Sequence, residues 1–129
     1  MDPRPLTEDE QLVLGRILAA DFQGVSALRE QALGVQVVGR CECGCPSVDL
    51  QPPADSTRSD QVGRLAPVEL AVAPLADELP GEVILFVDDG RLSYLEYVYY
   101  CELPPTGWPS EDRLSAIESN RPQPPADAK

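Results

Sequence analysis

Histidine is missing from this sequence altogether. Its absence removes the usual general base and the commonest metal ligand, and it rules out any Cys–His nucleophilic pair. Lysine is nearly missing too: Lys129 is the only one, and every other basic residue is arginine. Positive charge is scarce overall, with 10 basic against 22 acidic residues and a formal net charge of −12. A field of that sign repels nucleic-acid phosphates and anionic membranes, so neither is expected as a partner, whereas a basic protein is compatible with it. Long apolar runs are lacking, the stretch over 83–87 being among the longest, far below the ~20 residues of a membrane span. The opening Met1-Asp2-Pro3-Arg4-Pro5 lacks the charged-then-apolar pattern of a secretory leader. A cytoplasmic protein with reduced thiols is therefore expected, and a disulfide framework is not. Asparagine occurs once, as Asn120, while alanine, glycine and proline abound, a composition that fits a GC-rich bacterial genome.

What is present bounds the architecture. With 129 residues, 43% of them hydrophobic, the chain is sized for one domain around one core, predicted over 1–118, with a Pro-rich flexible tail over 119–129. Thr7-Glu8-Asp9-Glu10 reads as a capping box, and Leu14, Ile17 and Leu18 continue it at helical spacing, predicting a helix over 8–20. A second, shorter helix is expected from a Ser26 cap to Leu33, stopped by Gly34. From Val35 the period changes to two, and Val35, Val37, Gly39, Cys41 and Cys43 read as one strand face. A return strand over 47–50, a polar Pro-containing loop over 51–63 and an alternating segment over 67–73 follow. Asp88-Asp89-Gly90 between two β-rich runs is a strong hairpin signal. Ser110 is read as the cap of one helical turn through Leu114 and Ile117. The sum is an α+β fold with two N-terminal helices packed on an antiparallel sheet of about five strands.

The feature richest in chemistry is Cys41-Glu42-Cys43-Gly44-Cys45-Pro46, which holds three of the four cysteines. In a strand, alternate positions share a face, so the three thiols would line up about 6.5 Å apart. That is wide for one ion, and C-x-C departs from the two-to-four-residue spacing usual in zinc sites. A zinc site recruiting Cys41, Cys43, Cys45 and Cys101, or a thiol redox sensor on the same residues, is one reading. The bland reading, preferred on sequence, is that the cysteines pack as small hydrophobes.

Other candidates belong to surfaces. Tyr97 and Tyr99 share a strand face with Leu95 and are expected in the core. Tyr94 and Tyr100, beside Glu96 on the other face, are interface candidates, since tyrosine offers rigid area with a polar tip. Asp77, Glu78, Asp88 and Asp89 supply acidic contacts around the hairpin. Asp88 and Asp89 are adjacent for reasons of turn chemistry, so a hydrolase working through paired carboxylates finds no convergent pair.

Arg4-Pro5-Leu6-Thr7-Glu8 and Gly90-Arg91-Leu92-Ser93-Tyr94-Leu95-Glu96 resemble small bacterial proteins grouped as a domain of unknown function. That resemblance implies no activity and transfers no functional residue. In size and charge the chain also resembles immunity proteins that neutralise a co-encoded toxin. The function expected from sequence is thus a non-enzymatic acidic interaction protein that inhibits a basic partner through Glu96, Tyr94, Tyr100 and the acids of 77–89. The thiol site, with zinc, is the alternative.

Overall fold

The structure is a computed structural model that describes residues 1–75 and 79–124. Asp77, Glu78 and the 125–129 part of the expected tail lie outside the described residues. The elements run β1 (Arg4–Pro5), α1 (Glu8–Leu18), α2 (Val25–Ala32), β2 (Gln36–Arg40), β3 (Val48–Gln51), β4 (Val68–Val72), β5 (Gly81–Asp88), β6 (Arg91–Val98), a 3-10 turn (Glu111–Arg113) and β7 (Leu114–Glu118). The strands form one antiparallel sheet in the order β1-β2-β3-β6-β5-β4-β7. Among the described residues no helix is long and apolar enough to cross a membrane.

This corrects the expected fold. Among the described residues the sheet has seven strands where about five were expected, and the helices do not open the chain, because β1 precedes them. The broad α+β class stands. β1 escapes a pattern search because two residues carry no periodicity. It exists because Arg4 and Pro5 pair with Val37 and Gln36, while the Arg4 guanidinium grips both Glu10 carboxylate oxygens at 2.9 and 3.0 Å. Proline is tolerated on such an edge, where its missing N–H costs no ladder bond. At the other edge Leu114 and Ile117 mimic helical spacing, yet the segment pairs with β4 from Val68↔Glu118 to Val72↔Leu114. Two apolar residues three apart cannot separate the two periods; an unpaired edge on β4 decides the matter. Ser110 makes no side-chain cap there.

Local chemistry was read correctly where it is self-contained. The capping box is present: the Thr7 hydroxyl accepts from the Glu10 N–H at 3.2 Å, and the Thr7 N–H donates to the Glu10 carboxylate at 2.9 Å. The hairpin turns on Asp89 and Gly90 with φ of 54° and 72°, the pair of positive values a type I′ turn requires. α2 starts one residue before its expected cap, with Gly24 as N-cap in place of Ser26.

One sheet face is buried under the helices. Val13, Leu14, Ile17, Leu18 and Leu28 pack with Val37, Leu70, Val72, Val83, Leu85 and Leu95 into the main core. The opposite face carries a smaller cluster of Leu65, Ile84 and Phe86, with Tyr94 and Val98 against it. The first residues of the expected tail are tied to that face. Arg121 reaches Glu69 at 3.1 Å and Glu82 at 3.3 Å, and the Gln123 side-chain oxygen accepts from the backbone N–H groups of Arg64 and Leu65. The 51–63 loop is held as well: the Arg91 guanidinium donates to the Pro53 and Ala54 carbonyls, and the Ser59 N–H donates to the Gly90 carbonyl.

Candidate thiol site

β2 stops at Arg40 and β3 starts at Val48, so the three clustered cysteines sit in the connection between them rather than in a strand. Two backbone bonds shape this loop. The Cys41 N–H donates to the Ser47 carbonyl at 3.1 Å and closes its base, and the Gly44 N–H donates to the Cys41 carbonyl at 3.3 Å and turns its tip. Gly44 has φ of +92°, a conformation nearly closed to residues with a Cβ. Proline follows at 46, where no N–H is needed to continue a ladder. The turn undoes the alternation expected of a strand and folds the sulfurs toward one another.

The three Sγ atoms of Cys41, Cys43 and Cys45 all lie within 4.8 Å of one another. The sulfurs of Cys41 and Cys43 are 2.9 Å apart. The Cys45 N–H donates to the Cys43 sulfur at 3.4 Å, and the Tyr99 hydroxyl donates to the same sulfur at 3.6 Å. Cys45 is buried and donates to the Ser47 hydroxyl at 3.4 Å, which also accepts from the Tyr97 N–H at 2.9 Å. Behind Tyr99 stands an aromatic wall. Tyr97 meets it edge-on at 6.5 Å between ring centroids and stacks on Trp108 at 5.9 Å. The loop is thus anchored on β6 from below while Cys43 faces solvent.

The electrostatics divide the thiols. Hydrogen bonds from Cys41, Cys45 and Tyr99 stabilise the Cys43 thiolate and pull its pKa down to about 6. Cys41, as the donor to Cys43, is pushed up to about 11, and Tyr99, donating to the same sulfur, to about 12. At neutral pH Cys43 is therefore biased toward the thiolate, the form that binds metals and attacks disulfides, while Cys41 and Tyr99 keep their protons.

The preferred sequence reading of the cysteines as core packing is thereby corrected for most of them: Cys45 is buried, Cys41 half-buried, and Cys43 and Cys101 exposed. Cys101 stands apart from the three-sulfur group and lines a cleft with Tyr97, Leu103 and Trp108. Sulfurs bound to one ion at about 2.3 Å in a tetrahedral shell sit about 3.8 Å apart, so small side-chain rotations suffice for Cys41, Cys43 and Cys45. Among the described residues no fourth cysteine or carboxylate joins them. Tyr99 and Ser47 were not singled out as site residues. Tyr99 was assigned to the core by its strand face, and only the loop's curvature brings Cys43 to its hydroxyl.

Of the residues expected to bind a basic partner, Asp77 and Glu78 lie outside the described residues, and the others lie along β5 and β6 and just beyond them. Tyr94 packs edge-on against Phe86 at 5.8 Å on the outer sheet face. Glu96 is half-buried on that same face, where burial pushes its carboxyl above the usual range and Arg121 partly offsets this. Asp88 pairs with Arg64, and Asp89 with Arg58 at 3.1 Å, both at the hairpin turn. Tyr100 is exposed beyond the far end of β6, a strand whose eight residues span about 26 Å. Comparison of the chain with family models, with curated proteins and with solved structures returned no match.

Proposed function

We propose that this protein binds a thiophilic metal ion, with zinc as the reference case, through Cys41, Cys43 and Cys45. The observation that carries the reading is the convergence of three sulfurs within 4.8 Å on a loop whose tip faces solvent. Thiols lose their protons when they bind a metal ion, so binding releases protons and affinity rises with pH. The Tyr99 hydroxyl keeps its hydrogen bond to the Cys43 sulfur and orients it, as outer-shell donors do. Three protein ligands leave one position for water or for a ligand from a partner, the arrangement of open rather than closed thiolate sites. The role is binding, and no catalytic step is assigned. The alternative expected from sequence, an inhibitor of a basic protein, draws its support from the net charge of −12 alone.

Native mass spectrometry on protein purified under reducing conditions tests the proposal. The expected result is one bound zinc per chain after addition of zinc, lost with a chelator and lost in Cys43→Ser, with proton release during titration. Cobalt(II) in the same site should give thiolate-to-metal charge-transfer absorption. A bare polypeptide mass in excess zinc, with no proton release, would rule the reading out.

A further inference from the structure

We propose that Cys43 and Cys41 form a thiol–disulfide exchange pair, in which Cys43 attacks a low-molecular-weight disulfide and Cys41 resolves it, closing the thiol site. The consequence for metal release rests on the function proposed above; the exchange itself does not. Four geometric facts assign the roles. The Cys41 and Cys43 sulfurs are 2.9 Å apart, so a modest side-chain rotation brings them to the ~2.05 Å of a bond. Cys43 is exposed, whereas Cys45 is buried and hydrogen-bonded to Ser47, so an incoming reagent reaches Cys43 first. Cys101 lies outside the three-sulfur group and offers no competing partner within it. The loop base is pinned by the Cys41 N–H to Ser47 carbonyl bond, which holds Cys41 beside the tip that carries Cys43.

The steps balance. Cys43 loses its proton to solvent and attacks one sulfur of R–S–S–R; a Cys43–S–S–R bond forms, the original S–S bond breaks, and one RS⁻ leaves and is protonated by solvent. Cys41 then loses its proton to solvent and attacks the Cys43 sulfur. The Cys41–Cys43 disulfide forms and the second RS⁻ leaves and is protonated. Two cysteines lose two electrons and the small disulfide gains them, yielding two RSH. A Cys41–Cys43 disulfide leaves Cys45 as the lone thiol of the site, too few ligands to keep an ion.

The experiment treats the full-length reduced protein with 2-hydroxyethyl disulfide, quenches with an alkylating agent and maps the thiols by fragmentation. The expected map is a Cys41–Cys43 disulfide with Cys45 and Cys101 alkylated. Cys41→Ser, a change at a solvent-reached position, should accumulate the mixed disulfide on Cys43. Cys43→Ser should slow loss of site thiols by about tenfold or more, because the exposed attacking sulfur is gone. Cys45→Ala should leave the disulfide intact, and circular dichroism checks that each variant stays folded. A disulfide through Cys45 or Cys101, or an adduct on a sulfur other than Cys43 in Cys41→Ser, overturns the assignment. With zinc loaded first, a chromogenic chelator should report one zinc freed per disulfide formed; zinc retained after oxidation overturns the closing role. If the reduced protein takes up no zinc, the metal reading fails, and the thiol map still decides the exchange pair.

Discussion

Gln31 shows how much one side chain does in this molecule. It is wholly buried in α2, yet each of its polar atoms is used. Its amide nitrogen donates to the Thr57 carbonyl at 2.9 Å and the Gly90 carbonyl at 2.8 Å, and its oxygen accepts from the Leu92 N–H at 2.9 Å. One residue thereby ties the second helix, the 51–63 loop and the hairpin together. Gln31→Leu keeps the volume but strands the buried Leu92 N–H and takes a donor from the Thr57 carbonyl, while the Gly90 carbonyl keeps its bond from the Ser59 N–H, so a loss of about 2–3 kcal/mol is expected in urea unfolding. A cost below about 0.5 kcal/mol, the range of ordinary surface changes, would show that water replaces the amide. Nothing in the sequence marks this glutamine, because its three partners are backbone groups from distant segments that only the fold assembles.

At the scale of elements, the start of α1 ties stability to pH. Burial works against ionisation of Glu10, but hydrogen bonds from Arg4 and from Thr7 outweigh it and hold the carboxyl below its ordinary value of 4.5. The folded state thus binds the Glu10 proton less tightly than the unfolded chain does. Its stabilising contribution is fully present above the unfolded value and is lost as pH falls through the lower, folded one. Glu10→Gln should cost about 1–2 kcal/mol at pH 7, through loss of the cap carboxylate and of the ion pair that holds β1. The gap between variant and parent should close in unfolding curves taken below about pH 4; a gap independent of pH would mean that Glu10 acts by shape alone. The capping half of this unit was legible, since Thr7 and Glu10 are three apart in sequence. The Arg4 half was not, because it depends on β1 pairing with β2.

For the whole molecule the dominant long-range term is charge. A formal net charge of −12 opposes compaction through self-repulsion that salt screens, with a Debye length near 10 Å at 0.1 M. Raising sodium chloride from about 0.01 to 0.2 M, which shortens screening from about 30 Å to below 10 Å, should therefore raise Tm. A fall in Tm would show that pairs such as Arg121–Glu69 and Arg64–Asp88 contribute more than the net repulsion costs. These pairs lie on the sheet face away from the helices, where Arg121 also holds the first residues of the expected tail.

Short-range order was written into the sequence. The helix cap, the hairpin turn, the period-two strands and the α+β class follow from residues within a few positions of one another, where propensity and capping act without help. Tertiary structure alone decided what long-range pairing controls. β1 and β7 exist because edge strands offered them hydrogen-bond partners, and Gln31 counts because three segments meet around it. The cysteines show the division most clearly. Their clustering is plain in the sequence, but strand alternation would set them in a row about 6.5 Å apart. Ending β2 at Arg40 and turning at Gly44 brings them together, because a closed loop shortens distances that an extended backbone fixes.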